Sequence, residues 1–221
     1  MFANACDYLR MDERAVHPLW GRLVLLAFAA LDIAAVVWTA THLAEAPAGN
    51  KIVNFFSYFT IQSNLIVIAV MLAIALRDPQ GRRWQLIRGA GTLYITITGI
   101  VYALLLQNVA VGIPYPWTND VLHRVTPLIM LADWLLVPVA LGVSARLIAA
   151  LLAYPIVYGV YTLIRGAVVD WYPYPFIDPR SQGYWSMTIG LVVLVIAFIV
   201  LAVAVIALGD LAARRRTRQE A

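Results

Sequence analysis

Apolar residues follow one another almost without a break over 21–43, 55–76, 86–106, 121–141, 147–167 and 185–208. About 20 residues of helix, rising about 1.5 Å each, cross a bilayer core of roughly 30 Å. Each stretch has that length. The pattern predicts an all-α polytopic membrane protein, with residues 1–221 forming a single bundle of six transmembrane helices joined by short loops.

The polar positions inside these stretches need a physical reason, because an ionisable group in a span costs at least about 2.5 kcal/mol on insertion. They are Asp32, His123, Arg124, Asp133 and Arg165. Counting rise per residue puts Thr60, His123 and Arg165 in one layer, roughly 3–8 Å from the outer hydrocarbon boundary. Asp32 and Asp133 fall near the middle of the first and fourth spans. Asp133 is then about 15 Å below His123, which argues against direct contact and leaves a relay through polar groups open.

Positions three and four apart share a helix face. The fourth span aligns Asn119, His123, Thr126, Met130 and Asp133, and the second aligns Thr60, Ser63, Asn64 and Val67. The fifth aligns Tyr154, Tyr158, Tyr161 and Arg165, and the third Tyr94, Thr98 and Tyr102. Turned inward, these stripes enclose a polar pocket toward the outer leaflet. Plainer explanations exist for each residue. A membrane Thr often bonds its own helix carbonyl, a lone His is satisfied by water, and the aspartates and arginines form interhelical ion pairs. Asn64 and Gln62 serve equally as packing groups, and Gly89, Gly91 and Gly99 let helices approach. The sixth span is apolar on every side and reads as lipid-facing support.

Composition agrees with the membrane reading: the 221 residues are 62% hydrophobic and 13% charged, against about 25% charged in ordinary soluble domains. Charge adds orientation. Arg10, Arg14, Arg22, Arg77, Arg82, Arg83, Arg88, Arg146, Arg214, Arg215, Arg216 and Arg218 fall on one side, and only Lys51 and Arg180 occupy the opposite loops. Basic residues are retained in the cytoplasm, so both termini are expected there, in a cell membrane. Arg22, the first apolar run and Ala44-Glu45-Ala46 also outline a secretory leader, but the full spanning length and the charge balance favour a retained helix.

Several chemistries are excluded. The arginines lack interleaved aromatics, which argues against nucleic acid, and the single Cys6 allows neither a disulfide framework nor a thiolate metal cluster. A retinal site needs a mid-span lysine, whereas the sole lysine is Lys51 in a loop. His17 precedes the first span and gives no haem pair. No HExxH, CxxC, GxSxG or Gly-rich phosphate loop is present. No cofactor or metal is expected, and the sequence does not address oligomeric state.

Three segments, Phe55-Phe56-Ser57-Tyr58-Phe59-Thr60-Ile61-Gln62-Ser63-Asn64-Leu65, Thr118-Asn119-Asp120-Val121-Leu122-His123-Arg124-Val125-Thr126-Pro127 with Asp133-Trp134, and Trp171-Tyr172-Pro173-Tyr174-Pro175-Phe176, occur in that order. Together they resemble the androgen-induced family of six-span membrane proteins, particularly its bacterial branch. Animal members are threonine hydrolases that cleave fatty acid esters of hydroxy fatty acids. The resemblance implies a nucleophile at Thr60 and a base at His123, acting on a membrane lipid or lipid-like ester. Arg124 stands where animal members carry a smaller polar residue, and Ile61-Gln62-Ser63-Asn64 departs from their pattern. Depth and face suggest Asn64 as an oxyanion donor and Arg165 or Arg124 as a carboxylate anchor, with Asp133 and Asp32 in support. A different class of function, a proton-coupled transporter or lipid-binding protein, would instead use Asp32, His123, Asp133 and Arg165. A purely structural bundle is the third reading.

Overall fold

The computed structural model describes residues 16–43, 52–109 and 115–220. Cys6, Arg10, Arg14, Lys51 and Ala44-Glu45-Ala46 lie outside the described residues. Helices α1 (Leu19–Thr41), α2 (Ile52–Phe55), α3 (Phe59–Arg77) and α4 (Arg82–Val101) come first, and α4 continues as a π-helical segment, Tyr102–Leu106. Then follow α5 (Pro116–Asp120), a π-helical segment Val121–Val125, α6 (Thr126–Leu136), α7 (Ala145–Val169) and α8 (Pro179–Glu220). There is no strand among the described residues. The helices α1, α3, α4 with its π extension, α7 and α8 are long and apolar enough to cross a membrane.

The fourth apolar stretch is helical over 116–136 but widens into a π turn at Val121–Val125, and it is displaced toward the N-terminus. Pro116 starts α5 at a position where a missing N–H costs nothing. At the other end Pro138 excludes Val137 from the helical region, and Val137 takes φ −119°, ψ 67°. Asp133 consequently lies one turn from the helix end, not at mid-span as the hydropathy profile suggests.

α3 packs between α1 and α4, and α4 packs on α6, while α5 and the following π segment close back onto α1. α7 and α8 lie against this group. α8 is less lipid-bathed than its composition implies, since Ala202, Val205 and Ile206 are buried. Trp134 is the reason: its Nε1 donates to the Val205 carbonyl at 2.8 Å, and a Cβ on Gly209 would lie 2.6 Å from that nitrogen.

The end of the bundle that carries most arginines is held by buried charge. The His17 backbone N–H donates to Asp78 Oδ2 at 2.9 Å, and the ring Nδ1 lies 2.7 Å from Asp78 Oδ1. His17 Nε2 lies 3.0 Å from Asp133 Oδ1. Arg88 donates to Asp133 Oδ2 at 3.2 Å and to the Val137 carbonyl at 2.5 Å, with its guanidinium 4.9 Å from the Trp134 ring centre. Asp78 sits in the left-handed conformation at φ 43°, a place usually taken by glycine, with its carboxylate fixed by His17. Thus His17, which precedes the first apolar stretch, and Arg88, near the start of the third, are buried partners of Asp133.

Asp133→Ala would leave Arg88 buried without its carboxylate, so a loss of about 3–5 kcal/mol is expected, read as a lowered melting temperature in detergent micelles. The exposed Arg124–Asp120 pair offers the control: Asp120→Ala should cost less than about 1 kcal/mol.

Candidate functional site

Thr60 is the second residue of α3, following the extended Tyr58. First-turn N–H groups have no acceptor within their own helix. That of Thr60 donates to the Tyr174 hydroxyl at 3.4 Å. The segment around Thr60 is clasped by the polar stripe of α7: Arg165 donates to Asn54 Oδ1 at 2.7 Å, Tyr158 to the Ser57 carbonyl at 2.9 Å, and Tyr154 to Gln62 Oε1 at 2.7 Å. Arg165 also lies 5.0 Å from the Trp171 ring centre. These contacts make Arg165 an anchor of the α2–α3 connection.

His123 stands at the centre of the π segment Val121–Val125. The wide turn follows from Pro127, whose ring clashes with the carbonyl four residues back in a regular helix; the Thr126 N–H instead bonds the Val121 carbonyl, five residues back. Gly99 lets α4 approach here. A Cβ at Gly99 would lie 3.0 Å from Pro127 Cβ and 3.3 Å from the His123 carbonyl.

These two local structures bring Thr60 Oγ1 to 3.2 Å from His123 Nε2, with both residues buried. His123 Nδ1 lies 3.1 Å from the Asn119 carbonyl. A carbonyl only accepts, so Nδ1 carries the hydrogen and Nε2 offers its lone pair to the Thr60 hydroxyl. The ring is further fixed by Tyr102, stacked on it at 4.2 Å, whose hydroxyl accepts from Asn119 Nδ2 at 2.5 Å. A hydroxyl, an imidazole lone pair and an orienting carbonyl follow one another here, an order that nucleophilic catalysis can use.

The other sequence candidates fall elsewhere. Both donors of Asn64 are committed, to the Thr60 carbonyl at 2.7 Å and the Leu122 carbonyl at 3.2 Å. Asn64 therefore braces α3 against the π segment and does not present a donor to an oxyanion. Arg124 is half exposed, pairs with Asp120 and lies over the Tyr102 ring at 5.4 Å. Asp133 is in the remote ion cluster. Asp32 is buried in α1, with the Thr126 hydroxyl beside it and neither carboxylate oxygen in a hydrogen bond of ordinary geometry.

Three residues not singled out from the sequence complete the site: Tyr102, Asn119 and Tyr174. Tyr102 and Asn119 lay on recognised stripes without an assigned role, whereas Tyr174 sits in a Pro-flanked loop where no periodicity operates. That loop is clasped by Arg180, which pairs with Asp170 and donates to Asp178 Oδ2 at 2.7 Å. Hydrogen bonding to Arg180 holds the Asp178 carboxyl below its ordinary range, so this contact contributes stability above about pH 4 and loses it as pH falls through the lowered value. Burial holds the Tyr174 phenol above its usual range, so it remains a donor.

Thr60 and Tyr174, together with Thr98, Tyr158 and Thr162, line a mostly apolar cavity of about 260 Å³. Leu152 and Leu163 of α7 and Leu191 and Phe198 of α8 supply apolar walls. Ile156 and Val160, also in the wall, are about half exposed, and the cavity is partly open.

Gly99→Ala should force the π segment away from α4 and lower stability by about 1–3 kcal/mol, as overpacking does. Thermal unfolding in micelles reads this directly, and an unchanged melting temperature would refute the close-approach role. 

Comparison with protein-family models, with curated proteins and with solved structures finds no match to this chain.

Proposed function

We propose that the chain is a six-span integral membrane hydrolase of lipid-like esters, of the fatty acid ester of hydroxy fatty acid type, with both termini in the cytoplasm. Thr60 is the nucleophile and His123 the base. The observation that carries the reading is the buried 3.2 Å contact between Thr60 Oγ1 and His123 Nε2, with Thr60 in the wall of a mostly apolar cavity. An unassisted Thr hydroxyl is a weak nucleophile; a neutral imidazole with its lone pair on that hydroxyl removes the difficulty.

In this reading Thr60 Oγ1 attacks the ester carbonyl as Nε2 takes the hydroxyl proton, giving a tetrahedral oxyanion. The Tyr174 O–H, whose oxygen accepts from the Thr60 N–H at the positive end of α3, is the donor offered to that charge. Collapse expels the alcohol, which receives the proton from His123, and leaves an acyl-threonine. Water then attacks the acyl carbon with His123 again as base, and release of the acid restores both side chains.

The cavity supports a lipid-like substrate. Its walls are apolar, as an acyl chain requires, and Ile156 and Val160 of the α7 wall are half exposed, on the side from which a membrane-dissolved substrate would arrive. Transport is less well supported, because Asp133, one of its two midplane carboxylates, is instead committed to His17 and Arg88 near a helix end.

The test is labelling of the purified protein by a fluorophosphonate probe, together with hydrolysis of a long-chain acyl ester. Thr60→Ala and His123→Ala should abolish both while the melting temperature is retained. Tyr174→Phe should lower kcat by about 10²–10³, the effect of removing one oxyanion donor. An unlabelled wild type beside a labelled control hydrolase would end this reading.

A further inference from the structure

α1 and α3 run antiparallel, and two contacts fix their register. Arg22 Nη2 donates to the Ala75 carbonyl at 2.8 Å, and the His17 N–H donates to Asp78. Both helices advance equally per residue. Moving from the first contact sets Asp32 level with Leu65; moving from the second sets it level with Ser63. Asn64 is thus at the depth of Asp32. Helical spacing also puts the two on facing stripes, Arg22, Leu25, Ala29 and Asp32 on α1, and Ala75, Met71, Ile68 and Asn64 on α3.

A shortage of donors appears at this level. The donors of Asn64 serve two carbonyls, and its Oδ1 is left without a partner. The Leu122 carbonyl needs that help because in the five-residue register its own donor would be the N–H of residue 127, which is Pro127. Asp32 brings two more acceptor oxygens, with the Thr126 hydroxyl beside them but no hydrogen bond of ordinary geometry, and takes part in no ion pair among the described residues. Buried acceptors facing one another in an apolar bundle are costly until a hydrogen is supplied. A carboxylic acid supplies one and still accepts one.

We propose that Asp32 is a positioning residue: as a carboxylic acid it donates its O–H to Asn64 Oδ1 and accepts from the Thr126 hydroxyl. The chain Thr126–Asp32–Asn64 then holds the Thr60 and Leu122 carbonyls, and through them sets the nucleophile-bearing end of α3 against the segment that carries His123. Asp32 touches no substrate. Its kinetic consequence rests on the hydrolase reading above; its protonation and its bond to Asn64 do not.

The test uses the purified full chain in lipid nanodiscs. Infrared spectroscopy at neutral pH should show the carbonyl stretch of a protonated carboxylic acid in the wild type, lost in Asp32→Asn. An amide can replace the O–H as donor, so Asp32→Asn should keep kcat within a few-fold and retain the melting temperature. Asp32→Leu has no donor and should lower kcat roughly ten- to a hundredfold with KM little changed. A missing carboxylic-acid band, or Asp32→Asn as impaired as Asp32→Leu, would overturn the assignment. So would a folded Asp32→Leu with lowered melting temperature and unchanged kcat, which would mark a purely structural residue. If the wild type cleaves no ester, the hydrolase reading fails, while the band and the melting order, with wild type and Asp32→Asn above Asp32→Leu, still decide the role of Asp32.

Discussion

Much of the site follows from the N–H that Pro127 lacks. A proline inside a helix removes one hydrogen bond and crowds the preceding turn, and here the chain accommodates it by widening over Val121–Val125. Widening turns His123 toward α3 and leaves the Leu122 carbonyl short of a donor. Gly99 provides the room, and Asn64 provides the donor. A single missing hydrogen thus explains why a glycine, an amide and a π turn meet beneath the Thr60–His123 contact.

At the opposite end the organising force is electrostatic. His17, Asp78, Arg88 and Asp133 are buried together and join the start of α1, the end of α3, α4 and α6. The cluster is remote from Thr60, yet the register of α1 on α3 that it helps to set reaches upward to the level of Asp32 and Asn64. Two helices end on an aspartate in the left-handed conformation, Asp78 and Asp170. In both, the side chain is gripped by a basic group, His17 or Arg180. This offsets the strain that a non-glycine residue bears there.

The walls of the cavity come from different parts of the chain. α3 and the loop after α7 contribute Thr60 and Tyr174, while α7 and α8 contribute the hydrocarbon surface. α8 looks from its composition like inert support. It lines the cavity because Trp134 draws it onto α6, a contact that depends on Gly209.

Length and hydropathy alone determined the long apolar helices, because a 20-residue apolar run admits few other structures in a bilayer. Helical periodicity likewise determined the stripes, and the Tyr154–Arg165 face of α7 does clasp the segment bearing Thr60. Depth counting put Thr60 and His123 in one layer, since rise per residue is nearly constant. It misjudged Asp133, because Pro138 ended the helix early and a hydropathy window does not register a missing N–H. Only the tertiary structure decided that Asn64 braces two carbonyls, that His17 and Arg88 are core residues, and that Tyr174 reaches Thr60 from a loop. Those outcomes depend on which unsatisfied donor meets which unsatisfied acceptor across helices. That pairing is fixed by register and rotation between segments far apart in the chain, which no local pattern of residues records.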